Sequence, residues 1–363
     1  MHVAILGGGI TALSTAWSLT ERGHTVALCY SRRSGSSTAA AGGMLSPSCE
    51  ADGCEPDLIQ LSIESCKIYP EWVSAIESQS GLPCGYRKQG TLLVALHHDH
   101  NQELEHLIGF QQKHGLQQEW LTRRMLKKHS PNLARHIGGL WFAGDHFVNP
   151  RLLYESLQSA LKIRGVRFLE GDCTLSFKDS SNNSPITGVR INESQETADL
   201  YVLADGAWSM RHIPSLPLRP VKGQFLILEP KEDCTPLVRR VIRTPDVYSI
   251  PRENGHLYLG ATMEEEGFDE RQTAGASLDL LYHAFQVLPG VYEMIVREGG
   301  HGFRPALRDN QPMIGPSSHP NLWFNIGHYR HGIMLAPEAA NLFADALCNE
   351  RTIPAAFSSN RFS

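Results

Sequence analysis

The segment VAILGGGITALSTAW, residues 3–17, decides the fold. Residues 3–6 form the continuous apolar run that is typical of a buried parallel strand. Three glycines follow at 7–9, and apolar residues then recur at helical spacing over residues 13–17. A further apolar stretch at 25–29 predicts a second strand. The chain therefore opens with a strand–helix–strand unit whose first turn is rich in glycine.

The glycine turn has the spacing that dinucleotide cofactors require. Gly7, Gly9 and Ala12 occupy the three small positions of the pattern G-x-G-x-x-G/A. The first permits a tight turn, the second lets a pyrophosphate approach the backbone, and the third allows the helix to pack closely on the strand. The amides of Ile10 and Thr11, at the positive end of the helix, would face the phosphates. We therefore expect this turn to bind a dinucleotide.

The carboxylate that usually ends the second strand of such a unit is missing. That residue binds the ribose hydroxyls, but this chain has Tyr30, Ser31, Arg32 and Arg33 there. If Arg32 and Arg33 bind a 2′-phosphate, the cofactor is NADP. If Ser31 or a backbone group replaces the carboxylate, the cofactor is FAD, and the arginines belong to a solvated basic turn. The glycine turn by itself leaves both interpretations open.

The composition is ordinary for a soluble protein, with 363 residues, 41% hydrophobic, 20% charged and a net charge of −5. Without a basic tract, nucleic acid is not an expected partner. We find neither a secretory signal nor an apolar run of the roughly 18 residues that a membrane helix needs, so we expect a cytoplasmic protein. The eight cysteines form no C-x-x-C pair, and HHDH at 97–100 is interpreted as a solvated turn, so no metal site is expected.

The opening pattern returns near the end of the chain, which predicts a discontinuous cofactor domain. A strand is expected at 323–326 and a helix at 337–347, with Pro337 and Glu338 in the first turn of that helix. We predict a cofactor domain formed by residues 1–85, 140–215 and 298–363, and a substrate domain formed by residues 86–139 and 216–297.

Further segments resemble one family of flavoproteins. Small residues dominate STAAAGGML at 37–45, which lets the backbone run against a large flat ring. The segments VNPR at 148–151, YSIPR at 248–252, GFRP at 302–305 and GHYRHGIMLAP at 327–337 follow in the expected order. Together they resemble the D-amino-acid oxidase superfamily, and in particular its glycine and sarcosine oxidase branch. The resemblance covers nearly the whole chain and favours FAD over NADP.

The resemblance implies an α/β fold, with a Rossmann-like FAD-binding domain and an α+β substrate domain that contains an antiparallel sheet. The final helix would begin near the pyrimidine edge of the flavin, and its positive end would stabilise the reduced flavin. No cysteine lies between Cys234 and Cys348, so we expect FAD to bind without a covalent bond. The residues expected to contact FAD are Gly7, Gly9, Ile10, Thr11, Ser31, Arg32, Thr38, Ala39, Gly42, Gly43, Met44, Leu45, Thr174, Ala204, Gly206, Trp208, Gly302, His328, His331, Gly332, Ile333 and Met334.

The resemblance also implies a substrate and the residues that recognise it. An amino-acid carboxylate requires a cation, and a guanidinium can bind it through two hydrogen bonds. Arg304 matches the family's carboxylate-binding arginine, Tyr248 matches a hydroxyl donor to the same carboxylate, and Arg330 matches an arginine beside substrate and flavin. The implied reaction oxidises glycine to an imine, which hydrolyses to glyoxylate and ammonia while molecular oxygen becomes hydrogen peroxide. It would supply thiamin thiazole synthesis.

Other interpretations stay open on the sequence. The amine could be sarcosine, a D-amino acid or an N-substituted glycine, the acceptor could be a quinone, and the chain could be a homo-oligomer. His301 stands where an aromatic residue is more usual before GFRP, which affects the expected pocket wall. Tyr30 lacks the expected carboxylate, and Asp205 is an unusual residue in ADGAWS at 204–209, which otherwise resembles the family's second nucleotide-contact segment. These two residues motivate a different class, a flavin-poor scaffold protein. Arg304 and Tyr248 argue against that class, because a scaffold does not need them.

Overall fold

The computed structural model describes residues 1–51, 53–134, 137–181, 183–231 and 236–362. In this part of the chain, two large sheets of six and eight strands are accompanied by two smaller ones. Cys234, which bounds the expected cysteine-free stretch, lies outside the described residues.

The strands are mostly short, and two long ones belong to the eight-stranded sheet. In chain order they are β1 (His2–Leu6), β2 (Thr25–Tyr30), β3 (Met44–Leu45), β4 (Thr91–Ala95), β5 (Glu119–Thr122), β6 (Gly138–Phe142), β7 (His146–Phe147), β8 (Arg167–Glu170), β9 (Cys173–Phe177), β10 (Ile186–Ile191), β11 (Ser194–Glu196), β12 (Leu200–Leu203), β13 (Leu218–Glu229), β14 (Val241–Arg243), β15 (Tyr248–Pro251), β16 (Leu257–Gly260), β17 (Ile295–Leu307), β18 (Met313–Pro316) and β19 (Leu322–Ile326).

The α-helices connect these strands. They are α1 (Ile10–Glu21), α2 (Ser37–Ala40), α3 (Pro56–Ser80), α4 (His98–Lys113), α5 (Arg123–His129), α6 (Pro150–Ile163), α7 (Ala274–Val287) and α8 (Gly332–Leu347). Among the described residues, no helix has both the length and the apolar composition needed to cross a membrane.

The six-stranded sheet has the order β18-β19-β12-β1-β2-β8. All neighbouring pairs are parallel except β18 and β19. Its central strands are apolar throughout because both faces of the sheet are covered. Val3 and Ile5 of β1 pack into a core with α1, α3, α6 and α8, whereas Ala4 and Leu6 face a second core that includes residues of β9 and β10. The expected nucleotide-type sheet is confirmed.

The eight-stranded sheet has the order β17-β13-β16-β15-β14-β4-β6-β5. It is antiparallel except for the parallel pair of β4 and β14. The long strands β13 and β17 pair over nearly their whole length and place Arg304 opposite Val221. The expected antiparallel substrate sheet is therefore confirmed, with one parallel exception, while the exact domain boundaries stay a prediction.

The last helix begins at Gly332, and the prediction that Pro337 lies in its first turn was wrong. A proline inside a helix removes the N–H that would bind the carbonyl four residues earlier, which here belongs to Ile333. The hydroxyl of Tyr69 donates to that carbonyl at 3.1 Å. The hydroxyl of Ser65 donates to the next carbonyl along the helix at 2.6 Å. Two side chains of α3 thus allow α8 to continue through the proline.

The interpretation of residues 97–100 as a solvated turn was also wrong. The helix α4 begins at His98, and His100 is buried with its Nε2 3.4 Å from the carboxylate of Asp246. Leu104 and Leu107 are buried on the same helix. Their spacing fixes one face of α4 against the sheet, and the histidine-rich residues form its first turn.

Replacing Tyr69 with phenylalanine tests how α8 tolerates its proline. The ring stays, but the carbonyl of Ile333 loses its donor in a buried position, so we expect a loss of about 1–3 kcal/mol in the free energy of unfolding. Tyr86→Phe is the matched control, because Tyr86 stacks on Tyr69 and its buried hydroxyl has no hydrogen-bond partner among the described residues. That variant should be as stable as the parent or more so. Urea unfolding distinguishes the two, and an equal loss in both would contradict the role of the Tyr69 hydroxyl.

Candidate active site

A cavity of about 750 Å³ is lined by both large sheets and by the first turn of the last helix. The six-stranded sheet contributes the glycine turn and the residues that follow β2 and β12. The eight-stranded sheet contributes side chains of β14, β15, β16 and β17, and α8 contributes Gly332 and Ile333. The carboxyl ends of parallel strands are where open α/β sheets bind their ligands. This cavity therefore joins an expected nucleotide site to the second sheet.

The glycine turn is shaped by a close approach of two backbones. Gly7 has a φ of +136°, and a Cβ at this position would overlap the carbonyl of Ala204. The N–H of Ile10 donates to the hydroxyl of Thr38 at 3.0 Å, which brings α2 against the turn. Gly9 is the N-cap of α1 and offers no side chain to its first-turn amides. The N–H of Ile10 is thus already engaged by Thr38, and the amides that follow it in the first turn are open to a phosphate.

Both arginines that follow β2 are paired with carboxylates. Arg33 donates to Asp205 at 2.6 Å and is largely buried, while Arg32 is exposed and lies 2.9 Å from Glu170. Asp205 also lies 3.1 Å from a ring nitrogen of His212. The positive charge that a 2′-phosphate would require is thus already compensated, and the interpretation of a solvated basic turn was wrong for Arg33. The unusual Asp205 is explained by this pairing.

Two buried histidines precede α8. His328 and His331 are each 3% exposed, and a ring nitrogen of each has no hydrogen-bond partner among the described residues. Burial lowers the pKa of His328 to about 3 and that of His331 to about 4, so both rings are neutral at physiological pH. Because His328 lines the cavity, a bound ligand can form a hydrogen bond with its unsatisfied ring nitrogen.

Arg304 is a cation held only by neutral groups. Its guanidinium donates to the backbone carbonyls of Lys222 at 3.3 Å and of Thr262 at 3.0 Å. In the described residues no carboxylate lies within ion-pair distance of it. It packs over Gly223, where a Cβ would overlap the guanidinium. The arrangement leaves a full positive charge at the cavity wall, available to an anionic ligand.

Tyr248 lies beside this arginine. Its ring stacks on Tyr258 with a centroid separation of 6.1 Å, and a Cβ at Gly260 would lie 2.7 Å from its hydroxyl. Burial raises the pKa of Tyr248, although the charge of Arg304 acts in the opposite direction. The phenol is therefore protonated at physiological pH and can donate a hydrogen bond to a ligand that Arg304 binds.

An ion pair that the sequence did not indicate also lines the cavity. Arg243 donates to Glu50 at 2.6 Å. Burial raises the pKa of Glu50, but Arg243 and Arg330 outweigh burial and hold it at about 2. The buried carboxylate of Asp145 fixes the loop that carries Glu50, since it accepts the two preceding backbone N–H groups at 3.2 and 2.8 Å. The pair contributes no net charge, and among the described residues Arg304 and Arg330 are cavity cations without a carboxylate at ion-pair distance.

Most of the residues expected from the resemblance line this one cavity. They are Gly9, Ile10, Thr11, Ser31, Arg32, Thr38, Ala39, Gly42, Gly43, Met44, Ala204, Gly206, Trp208, Tyr248, Gly302, Arg304, His328, Arg330, Gly332 and Ile333.

Five of the expected residues do not line the cavity, and neither does His301, which was expected at the pocket wall. Leu45 and Met334 belong to the hydrophobic core, Gly7 precedes the start of α1, and His331 is the N-cap of α8. Thr174 lies on β9. His301 faces away from the cavity because neighbouring residues of a strand point to opposite faces, and its ring packs on a phenylalanine at 5.3 Å.

Several cavity residues carried no recognisable motif. Glu50, Arg243 and Asp246 lie on loops or at strand ends, where sequence spacing does not fix direction. The polar residues of α6 that line the cavity recur at helical spacing over 151–158 and could have been found by that pattern. The described residues contain no group of three or more side chains that could hold a metal ion. The open helix start, the glycine turn and the unsatisfied His328 fit a dinucleotide cofactor.

The two neutral histidines should make stability depend on pH. Their pKa values are lowered in the folded protein, whereas an unfolded chain binds protons near pH 6.5. Above about pH 6.5 these histidines are neutral in both the folded and the unfolded state and do not oppose folding. As the pH falls below 6.5, the unfolded chain takes up protons that the folded protein does not, so the free energy of unfolding falls by about 1.4 kcal/mol per pH unit for each histidine. Unfolding by urea between about pH 7 and pH 5 should show a shallower slope for His328→Gln than for the exposed control His98→Gln. Equal slopes would contradict a neutral, buried His328.

Curated proteins of similar sequence cover nearly the whole chain. It is 32% identical over 354 residues to the bifunctional protein ThiO/ThiG of Trichormus variabilis, in a match that covers 97% of this chain and 53% of that protein. It is 28% identical over 370 residues to the glycine oxidase of Pseudomonas putida, with 97% and 96% covered. The chain thus spans about half the length of the bifunctional relatives.

A solved structure and a family model agree with these relatives. The crystal structure of glycine oxidase from Geobacillus kaustophilus matches with a TM-score of 0.88 at 26% identity, over 98% of this chain and 97% of that one. The family model described as FAD dependent oxidoreductase matches residues 2–346. Because that match spans most of the chain and includes the residues of the cavity, the chain belongs to the FAD dependent oxidoreductase family.

Proposed function

We propose that the chain oxidises glycine, or a closely related small amino acid, at its carbon–nitrogen bond with FAD as cofactor. The observation that carries the proposal is Arg304, whose positive charge faces the cavity without a carboxylate partner among the described residues. The glycine turn belongs to the same cavity, so an amino-acid carboxylate and a dinucleotide can be bound together. The overall reaction converts glycine, oxygen and water into glyoxylate, ammonia and hydrogen peroxide.

Arg304 and Tyr248 would orient the amino acid. A guanidinium binds a carboxylate through two parallel hydrogen bonds, and the protonated phenol of Tyr248 adds a third donor. The ring of Tyr258 stacks on that of Tyr248, and the hydroxyl of Tyr258 donates to the carbonyl of Ala40 at 2.6 Å. This support fixes the position of the carboxylate relative to α2, which lies against the glycine turn. Fixed placement of the reacting carbon is the main contribution a protein makes to such a reaction.

FAD, when bound, supplies the acceptor for the two electrons and the hydrogen that leave the α-carbon. Gly9, Thr38 and the first-turn amides of α1 would hold its pyrophosphate, and His328 with the first turn of α8 would lie at its ring system. The neutral histidines add no charge there, so the helix dipole and Arg330 provide the positive potential. The half-buried ring of Tyr248 and the buried ring of Tyr258 would help to exclude water from the reacting carbon.

The names of the relatives support a place in thiamin biosynthesis. A relative in Rhizobium etli that is 30% identical over 363 residues is named a putative thiamine biosynthesis oxidoreductase ThiO, and the bifunctional relatives carry the same ThiO designation. We therefore propose that the product of this reaction is used for the thiazole of thiamin in the cytoplasm, and that molecular oxygen is the final acceptor.

A glycine that carries a second acidic group on its nitrogen is the other candidate substrate. Arg330 lines the cavity and is exposed, and its Nε donates to His331 at 3.2 Å. Within the described residues it has no carboxylate at ion-pair distance. A second carboxylate could bind there while Arg304 holds the first.

An anaerobic titration tests the proposed reaction. The visible spectrum of the FAD-loaded protein is recorded before and after glycine is added, and air is then admitted. Loss of the flavin band with glycine and its return in air, together with peroxide, is the expected result. A band that is unchanged by glycine but lost with an N-carboxymethyl amino acid would favour the second candidate. A band that survives both would overturn the proposal.

Removal of the Arg304 guanidinium should slow the oxidation of substrates that carry a carboxylate. We expect Arg304→Ala to lose about 2–5 kcal/mol of transition-state stabilisation with glycine, measured as kcat/KM. Methylamine, which has no carboxylate, should react equally slowly with the variant and with the parent. Arg297→Ala is the control, since Arg297 is exposed and pairs with Glu229 outside the cavity. An unchanged kcat/KM for glycine in Arg304→Ala would rule out the carboxylate role.

A further inference from the structure

The adenosine end of the cavity lacks the carboxylate that this fold usually offers to the ribose hydroxyls. That residue ends the second strand, and here the position is Tyr30. Its ring covers the glycine turn so closely that a Cβ at Gly8 would lie 2.9 Å from it. Its hydroxyl donates to Glu170, at the end of the neighbouring strand β8, at 3.2 Å. Tyr30 therefore occupies the position without supplying a carboxylate.

The acceptors next to Tyr30 are already engaged. The hydroxyl of Ser31 accepts from the N–H of Cys173 at 3.2 Å and from Arg33 at 3.3 Å. The two oxygens of Glu170 are taken by the tyrosine hydroxyl and by Arg32 at 2.9 Å. Asp205, which follows β12, is already ion-paired with Arg33. Each of these groups already has at least one partner, so a ribose hydroxyl would have to share it with the group bound there.

One face of α6 lines the same cavity. Arg151, Tyr154, Glu155 and Gln158 all belong to the lining, and their spacing is that of a single helical face. Burial raises the pKa of Tyr154, and the charge of Arg32 acts to lower it. Lys162 of the same helix lies 5.4 Å from the ring of Phe168, and that ring contacts the ring of Tyr30 at 6.4 Å, which places α6 beside the end of β2.

Glu155 is the acidic residue of this face, and its carboxylate is available. It is exposed, and inside the described ranges no hydrogen bond or ion pair engages it. Arg151, one helical turn earlier, could have paired with it. That arginine is instead bound by both oxygens of Glu298, at 2.8 and 2.5 Å. Both oxygens of Glu155 are thus free to accept.

We propose that Glu155 accepts hydrogen bonds from the ribose hydroxyls of the adenosine half of FAD, and so replaces the strand-end carboxylate that this chain lacks. The inference rests on FAD as the cofactor and is independent of which amine is oxidised. Hydrogen bonds from two hydroxyls to one carboxylate are charge-assisted and strong. A solvated glutamate at this place would only repel the pyrophosphate, so the two roles predict effects of opposite sign on cofactor affinity.

Titration of the apoprotein with flavins separates these roles. The dissociation constants of FAD and of FMN, which has no adenosine, are measured by flavin fluorescence for the parent and for Glu155→Gln. We expect the constant for FAD to rise about tenfold or more, and the constant for FMN to stay within about twofold. Glu71→Gln, which removes an exposed charge on α3 away from the cavity, is the matched control and should change neither constant.

The alternative outcomes each contradict the proposal. Tighter or unchanged FAD binding in Glu155→Gln would mean that the glutamate is only a solvated charge. An equal loss for FAD and FMN would mean that the substitution disturbs the fold. A loss in Glu170→Gln that is absent from Glu155→Gln would assign the ribose to Glu170 instead. FAD affinity is measured without any amine, so this test succeeds or fails separately from the proposed oxidation of glycine.

Discussion

No side chain fits at residue 7, because the backbone of Gly7 lies against the carbonyl of Ala204, and the rest of the cofactor site depends on this close approach. Gly7 follows β1, and Ala204 follows β12, the neighbour of β1 in the sheet. The approach brings together two turns that are distant in sequence. It also brings Asp205 within reach of Arg33, which fixes the segment after β2. The contact between Gly7 and Ala204 thus positions both the glycine turn and the segment after β12, which line the nucleotide site from two sides.

Charges in the cavity fall into two kinds. Arg33 and Arg243 are bound by carboxylates and act as structural cations. Arg304 is bound by carbonyls, one of which belongs to Lys222, and it keeps its full charge for a ligand. Lys222 is itself fully buried and lies 3.4 Å from the carboxylate of Glu264, so β13 is held in place by its own ion pair. Arg304 is half-buried, and among the described residues it has no anionic partner, so its position is more readily explained by ligand binding than by stability.

The sequence allowed the local parts of the fold to be predicted, since each depends on neighbouring residues. The β1–α1–β2 unit follows from apolar runs and glycine spacing, and it is found where expected. The start of α8 was missed because the carbonyl released by Pro337 is satisfied by Tyr69, a residue of another helix. The Glu50–Arg243 pair was missed because it joins a loop to a strand in a different sheet. The family motifs did lead to Arg304, but only the three-dimensional structure reveals that no described carboxylate pairs with it.

The strand order also has a consequence for the biosynthesis of the protein. β1 and β2 carry the glycine turn, yet the strand beside β1 is β12, and α8 follows every other wall of the cavity in the chain. A ribosome releases these parts in sequence order, so one edge of β1 stays unpaired until β12 has been made. The cavity that binds the flavin is complete only once α8 has also been made. Before β12 is made, the open edge of β1 can pair with other chains, and fast folding shortens that period.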